Sequence, residues 1–193
     1  MKKQTKILNV GRNPEANFGI INPPVYHAST VLFPTVSALH EATARWHDGV
    51  YYGLNGTPTT FAFQEAIAEL EGFPNAIAVP SGLAAIAGVL LAFLQQGDHL
   101  LVVDSVYGPT RRFCDGILKK YGVETTYYLP SIGSKIEELI RPKTRVIFAE
   151  SPGSLTFEVQ DIPSIVEVAH NANIKVVFDN TWAGGIFFRH QKW

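Results

Sequence analysis

Ser81-Gly82-Leu83 places a hydroxyl and backbone N–H groups where the pattern predicts a helix start, and there the helix dipole and unpaired donors favour a phosphate. Asp179 closes an almost wholly apolar strand pattern, Lys175 to Phe178. A carboxylate at such a place favours the charged form of a neighbouring base, a pyridinium-type nitrogen being one. Tyr107 follows another strand pattern and offers an aromatic face for stacking, with a phenol for hydrogen bonding or proton transfer. Each residue also has an ordinary reading: Ser81 as a helix cap, Asp179 as a turn or capping aspartate, Tyr107 as a loop aromatic.

Other chemistries find less support. Cys114, the only cysteine, lies mid-helix without a paired histidine motif and is expected to be a small packing residue. The six histidines are scattered and none is assigned a catalytic role; no Cys/His grouping has zinc-ligand spacing, so no metal is expected. Neither G-x-G-x-x-G nor G-x-x-x-x-G-K-[ST] occurs, which counts against a dinucleotide fold and a P-loop hydrolase. Sixteen basic against 17 acidic residues leave a net charge of -1 with no basic cluster, so a small-molecule partner is expected rather than nucleic acid or membrane. The lone cysteine fits a reducing compartment. The basic start, Met1 to Lys6, precedes an apolar segment too short for a signal peptide, and the apolar stretch Leu83 to Leu94 is about half the ~20 residues of a membrane span. The expected location is cytoplasmic.

The elements that must position these residues follow from periodicity. From Thr59 onward helix and strand patterns alternate with short connections, the signature of an α/β domain with a mostly parallel sheet. Helices are expected from Thr59 or Thr60 to Gly72, from Ser81 to near Gly97, from Pro109 to Tyr121 and from Asp161 through Ala169, with another short helix starting at Ser134-Lys135-Ile136-Glu137, which has capping-box spacing. Strands are expected over Ala76–Val79, Leu100–Val103, Val123–Tyr128, Arg145–Ala149 and Lys175–Phe178. Residues 1–58, with Asn22-Pro23-Pro24 and one short helix near Val36 to Trp46, read as an extended N-terminal arm, leaving 59–193 as the main domain. Ligands of open α/β sheets sit beyond the carboxyl ends of the strands. Ser81-Gly82, Ser105 to Gly108, Glu150-Ser151-Pro152 and Asp179-Asn180-Thr181 should therefore face one region.

These segments, in order, resemble the Cys/Met-metabolism family of pyridoxal-phosphate (PLP) enzymes, from Asn22 to about Phe188. The motifs that carry the likeness include Tyr52-Gly53, Gly56-Thr57-Pro58-Thr59, Pro80-Ser81-Gly82-Leu83-Ala84-Ala85-Ile86, Tyr107-Gly108-Pro109-Thr110 and Asp179-Asn180-Thr181-Trp182. Glu150-Ser151-Pro152-Gly153-Ser154 and Trp182 are more similar to the cystathionine β-lyase branch than to the γ-lyases. The resemblance implies an α/β, type I PLP-transferase-like fold: a mostly parallel central sheet flanked by helices, with an extended N-terminal arm. It also implies pyridoxal 5'-phosphate as cofactor, with Ser81, Gly82 and Leu83 at its phosphate, Tyr107 stacked on its ring and Asp179 paired with its nitrogen. Tyr52 would reach the phosphate of a neighbouring subunit and, like Tyr107, assist catalysis, in a homotetramer built from dimers that share active sites. The implied reaction is β-elimination of cystathionine to homocysteine, pyruvate and ammonia.

Two departures from the family pattern bear on that expectation. The family's Schiff-base lysine belongs to a Ser-x-Thr-Lys motif some way after Asp179, and no such motif occurs in the 193 residues; Lys192, in His190-Gln191-Lys192-Trp193, matches neither its spacing nor its context. The expected reading is therefore an N-terminal part of such an enzyme, inactive alone, with a non-catalytic remnant or a γ-synthase or γ-lyase as alternatives. Leu54 stands where many members carry a phosphate-binding arginine after Tyr-Gly, and Asn55 does not replace it.

Overall fold

In the computed structural model, which describes residues 3–45 and 49–188, the chain divides after Ala78 into two compact units. The first contains α1 (Lys3–Ile7), which packs on α3 (Pro58–Glu71), and α2 (Val36–Ala44). α1 and a short 3-10 turn, Glu15–Asn17, add to the single helix expected here; the Trp46 end of that expectation lies outside the described residues, as do Met1, Lys2 and Lys192. Thr35 caps α2 by accepting the Ala38 N–H at 3.1 Å. α3 begins with a proline and ends at Gly72, whose φ of 80° is the left-handed conformation that closes a helix at little steric cost to glycine. Thr59 does not cap α3. Its hydroxyl donates to the Pro24 carbonyl at 2.7 Å and accepts the Tyr26 N–H at 2.8 Å, so it pins the extended arm instead.

The second unit starts with α4 (Gly82–Phe93) and is built on one parallel sheet of β1 (His99–Val103), β2 (Glu124–Tyr128), β3 (Thr144–Glu150) and β4 (Lys175–Asp179), in the order β2-β1-β3-β4. Between these strands run α5 (Gly108–Phe113), a 3-10 stretch at Gly133–Leu139 and α6 (Ile162–Asn171), and α7 (Gly184–Phe187) follows β4. β1 is buried along its length, as a parallel strand covered on both faces must be. β3 is buried except at Arg145. There the ladder slips: His99 stands opposite Thr144 and Leu100 opposite Val146, so Arg145 is an extra residue in β3, and its guanidinium lies 3.5 Å from the Asp98 carboxylate. Leu90, Leu101, Tyr128, Ile136, Phe148 and Ile165 are among the side chains that fill the core.

Several expectations need correction. Ala76–Val79 forms no strand; a strand exists only where a ladder partner does, and the Ala78 N–H is taken by the Gln64 side chain at 2.9 Å. The helix expected from Pro109 to Tyr121 widens to a π turn at Cys114–Leu118, and α4 ends at Phe93 rather than near Gly97. Ser134 forms no capping box: it lies inside the 3-10 stretch, whose start carries no side-chain cap. The other strands and α6, with Asp161 accepting the Ser164 N–H at 3.2 Å, fall within about two residues of expectation.

Candidate active site

Strand order 2-1-3-4 reverses direction between β1 and β3, which is where an open α/β sheet opens a crevice at its carboxyl end. The loop leaving β1 is tied to the end of β3 and its loop by the Tyr107–Glu150 and Ser154–Ser105 bonds, and the loop leaving β4 lines a cleft with the start of α4. Ser81 takes an extended conformation and its Oγ accepts the Ala84 N–H at 3.1 Å. It thus performs the ordinary capping role, and the N–H groups of Gly82 and Leu83, in the first turn, have no intrahelical acceptor. A Cβ placed on Gly82 would meet nothing within 4 Å, so the helix start is open on that side.

That space is a cleft of about 220 Å³ lined by Gly82, Ile86, Phe148, Val177, Asp179 and Thr181, among others. Phe148 and Val177 are ladder partners on β3 and β4, and their side chains form its apolar floor. Asp179, two residues beyond Val177, keeps the same face of the sheet. Its Oδ1 accepts both the Thr181 N–H (3.0 Å) and the Thr181 hydroxyl (2.5 Å), which fixes the carboxylate. The cleft therefore joins anion-favouring backbone donors and a fixed carboxylate across an apolar surface. A planar cationic ring bearing a phosphate fits that donor set, and PLP is such a molecule.

Tyr107 precedes α5 and is 43% exposed. Its backbone N–H donates to Glu150 Oε2 at 2.7 Å. Glu150 is the residue that sequence reasoning missed as a site residue. It ends β3 opposite Asp179, is only 4% exposed, and its carboxyl is pushed up to about 7, first by burial and further by the Asp179 charge, with the Tyr107 N–H acting in opposition. The signal was present: Glu150 closes an apolar strand pattern just as Asp179 does. Behind it Gln160 donates from Nε2 to the Glu150 carbonyl (2.7 Å) and from its N–H to Ser151 Oγ (2.9 Å). The Ser154 N–H donates to the Ser105 carbonyl at 2.9 Å, and a Cβ on Gly153 would fall 2.5 Å from Ser105 Oγ, so glycine is needed for this approach of the two loops.

Tyr52 belongs to the first unit. The Ser29 hydroxyl lies 3.4 Å from its phenol oxygen, and the Gly53 N–H donates to the Ser29 carbonyl at 2.7 Å. A Cβ on Gly53 would fall 2.0 Å from the Ala28 carbonyl oxygen, which explains the glycine of the Tyr-Gly pair. Leu54 is 84% exposed. Cys114 is buried and its thiol is pushed up to about 12, chiefly by burial, so it is unreactive packing. His99 is buried between Thr144 Oγ1 (2.8 Å) and Thr126 Oγ1 (2.9 Å) at the opposite end of β1 from Tyr107. Among the described residues no cluster of three or more His, Cys, Asp or Glu side chains could hold a metal, and no helix is long and apolar enough to cross a membrane.

Residues 4–192 match the family described as Cys/Met metabolism PLP-dependent enzyme. The chain belongs to this family. It is 53% identical over 185 residues to a putative cystathionine beta-lyase of Rhizobium johnstonii, covering 96% of this chain and 46% of that protein. With the cystathionine beta-lyase of Salmonella typhimurium it shares 44% identity over 188 residues, 96% of this chain and 48% of the relative. Among solved structures, cystathionine gamma-lyase from Lactobacillus plantarum, complexed with L-serine, superposes with a TM-score of 0.84 at 30% identity, over 96% of this chain and 46% of that one. The fold is thus that of the family's PLP enzymes, a parallel sheet flanked by helices. The chain spans about half the length of the curated relatives it matches.

Proposed function

We propose that this chain forms the cofactor cradle of a PLP-dependent carbon-sulfur lyase acting by β-elimination on cystathionine. The observation that carries the reading is the cleft that sets Gly82, at the start of α4, across an apolar floor from the fixed carboxylate of Asp179. In it Gly82 and Leu83 would bind the phosphate, with Ser81 holding the helix start in shape. Asp179 would keep the ring nitrogen protonated, and Tyr107 would lie on the ring face. PLP bound there would supply an electron sink for the electron pair left at a substrate α-carbon. Phe148 and Val177 give the floor an apolar surface, which would strengthen the Asp179 interaction.

The β-lyase relatives support the choice of a thioether amino acid, and the γ-lyase structure with an amino acid bound supports the alternative of cleavage on the other side of sulfur. Tyr52 is proposed to reach a neighbouring subunit's phosphate in a homotetramer, and the cytoplasm is the proposed location. The lyase activity is proposed for the cradle acting with a Schiff-base lysine, whose Ser-x-Thr-Lys motif is not among these residues.

The test is an absorbance titration of the purified chain with PLP followed by gel filtration, for wild type and Asp179→Ala. Retention that Asp179→Ala weakens by about tenfold or more supports the reading. Equal behaviour of the two proteins removes it. For a protein that also carries the lysine, release of pyruvate from cystathionine identifies β-elimination, and a four-carbon keto acid identifies the γ-type alternative.

A further inference from the structure

We propose that Glu150 is a positioning residue, whose buried carboxylate ties the Tyr107 backbone to the strand beside Asp179 and so sets the stacking tyrosine relative to the ring-nitrogen partner. The inference rests on the cofactor reading above. Its geometric basis is the switch point of the sheet, where the loop leaving β1 must be held against the end of β3. Two bonds do this: the Ser154 N–H to the Ser105 carbonyl, 2.9 Å, joins the two loops, and the Tyr107 N–H to Glu150 Oε2, 2.7 Å, is the one that reaches β3 itself. The anchor itself is fixed, because Gln160 holds the Glu150 carbonyl and the ladder places Glu150 opposite Asp179.

A folding role alone is a poor account of this residue. Two carboxylates side by side on neighbouring strands repel, and burying one of them is unfavourable. In return the fold gains one hydrogen bond to a backbone N–H, which an amide oxygen would accept equally well. The positioning role therefore rests on the bond rather than the charge: it joins the segment of Tyr107 to the strand end paired with Asp179.

The variants are Glu150→Ala, which removes the acceptor, Glu150→Gln, which keeps its reach without charge, and Glu150→Asp, which keeps charge but withdraws the oxygen. Asp179→Asn serves as the benchmark for the cofactor reading. Amide hydrogen exchange at Tyr107 is followed without cofactor; PLP affinity and the induced circular dichroism of bound PLP are followed by titration of the purified chain. Glu150→Ala and Glu150→Asp should each speed Tyr107 exchange and weaken PLP binding by about tenfold, with a reduced dichroic band, while Glu150→Gln restores all three to within about threefold of wild type. Wild-type affinity in Glu150→Ala and Glu150→Asp overturns the proposal. So does a Glu150→Gln protein as impaired as the others, since charge or folding would then be responsible. Should Glu150→Ala fail to fold, the Asp and Gln variants make the same comparison. The two readings fail separately: if wild type and Asp179→Asn do not differ towards PLP while Tyr107 exchange still follows residue 150, the cofactor reading falls and the tether stands.

Discussion

The two units differ in what they do with apolar side chains. In the second, β1 is buried from end to end, and Leu90, Phe148 and Ile165 close on the sheet with essentially no exposure. In the first, Ala68 is the buried apolar side chain among the described residues, while Phe18, Leu32 and Leu54 are 98%, 90% and 84% exposed. Apolar residues are present in both. What differs is periodicity: alternating helices and strands create ladders whose faces must be covered, whereas the Pro- and Gly-interrupted arm has no ladder to cover.

The largest expected effect tests that contrast directly. Phe148→Ala, which empties a fully buried position of the central sheet, should cost about 3–5 kcal/mol in a urea titration, while Leu32→Ala should stay within about 0.5 kcal/mol. Equal effects would show that the arm has a core of its own.

Next comes the pH response of the second unit. The Glu150 carboxyl holds its proton to about pH 7 when folded but loses it near 4.5 when unfolded. The folded state therefore binds more protons between these values, so stability falls as pH rises from 4.5 through 7 and levels off above. The loss is on the order of 2 kcal/mol once solvent screening is allowed for. Glu150→Gln should flatten this slope in melts taken across that range.

His99 contributes the opposite sign. Burial, with the Arg141 charge beside it, holds the imidazole neutral below its usual 6.5, so the unfolded chain takes the proton first. Stability should fall as pH drops below 6.5, and His99→Asn should remove that component; because the two windows overlap, the single variants are needed to separate them. The smallest effect is the loss of the α4 cap: Ser81→Ala should cost about 1 kcal/mol in the same melts.

Much of the second unit was legible in the sequence because its signals are local. Apolar runs bounded by turn residues gave β1 to β4 to within about two residues, and Asp161 before Pro163 marked α6. Strand polarity alone pointed the Ser81, Tyr107, Glu150 and Asp179 segments to one end of the sheet; of these, Gly82 and Asp179 line one cleft, while Tyr107 is tied to Glu150, beside Asp179 in the sheet. What could not be read depends on partners distant in sequence. Ala76–Val79 has strand composition, but Gln64 takes its backbone donor. Ser134 has capping spacing, yet the chain there tightens into a 3-10 stretch packed against α6. Strand polarity pointed the Glu150 segment to the site end of the sheet, but its bond to the Tyr107 N–H, 2.7 Å, is visible only in the fold.

The extra residue at Arg145 has a consequence for how this chain can change in length. Opposite β1, Thr144 and Val146 are already successive partners, so Arg145 is slack in the ladder. Losing it would leave every later residue of β3 in its present frame, with Glu150 still level with Asp179. Removing Ile147 instead would advance the remainder of the strand by one step and turn the Glu150 side chain through to the other face of the sheet. Two deletions of one residue each, two positions apart, thus differ in kind: the first shortens a bulge, and the second takes the carboxylate out of the crevice.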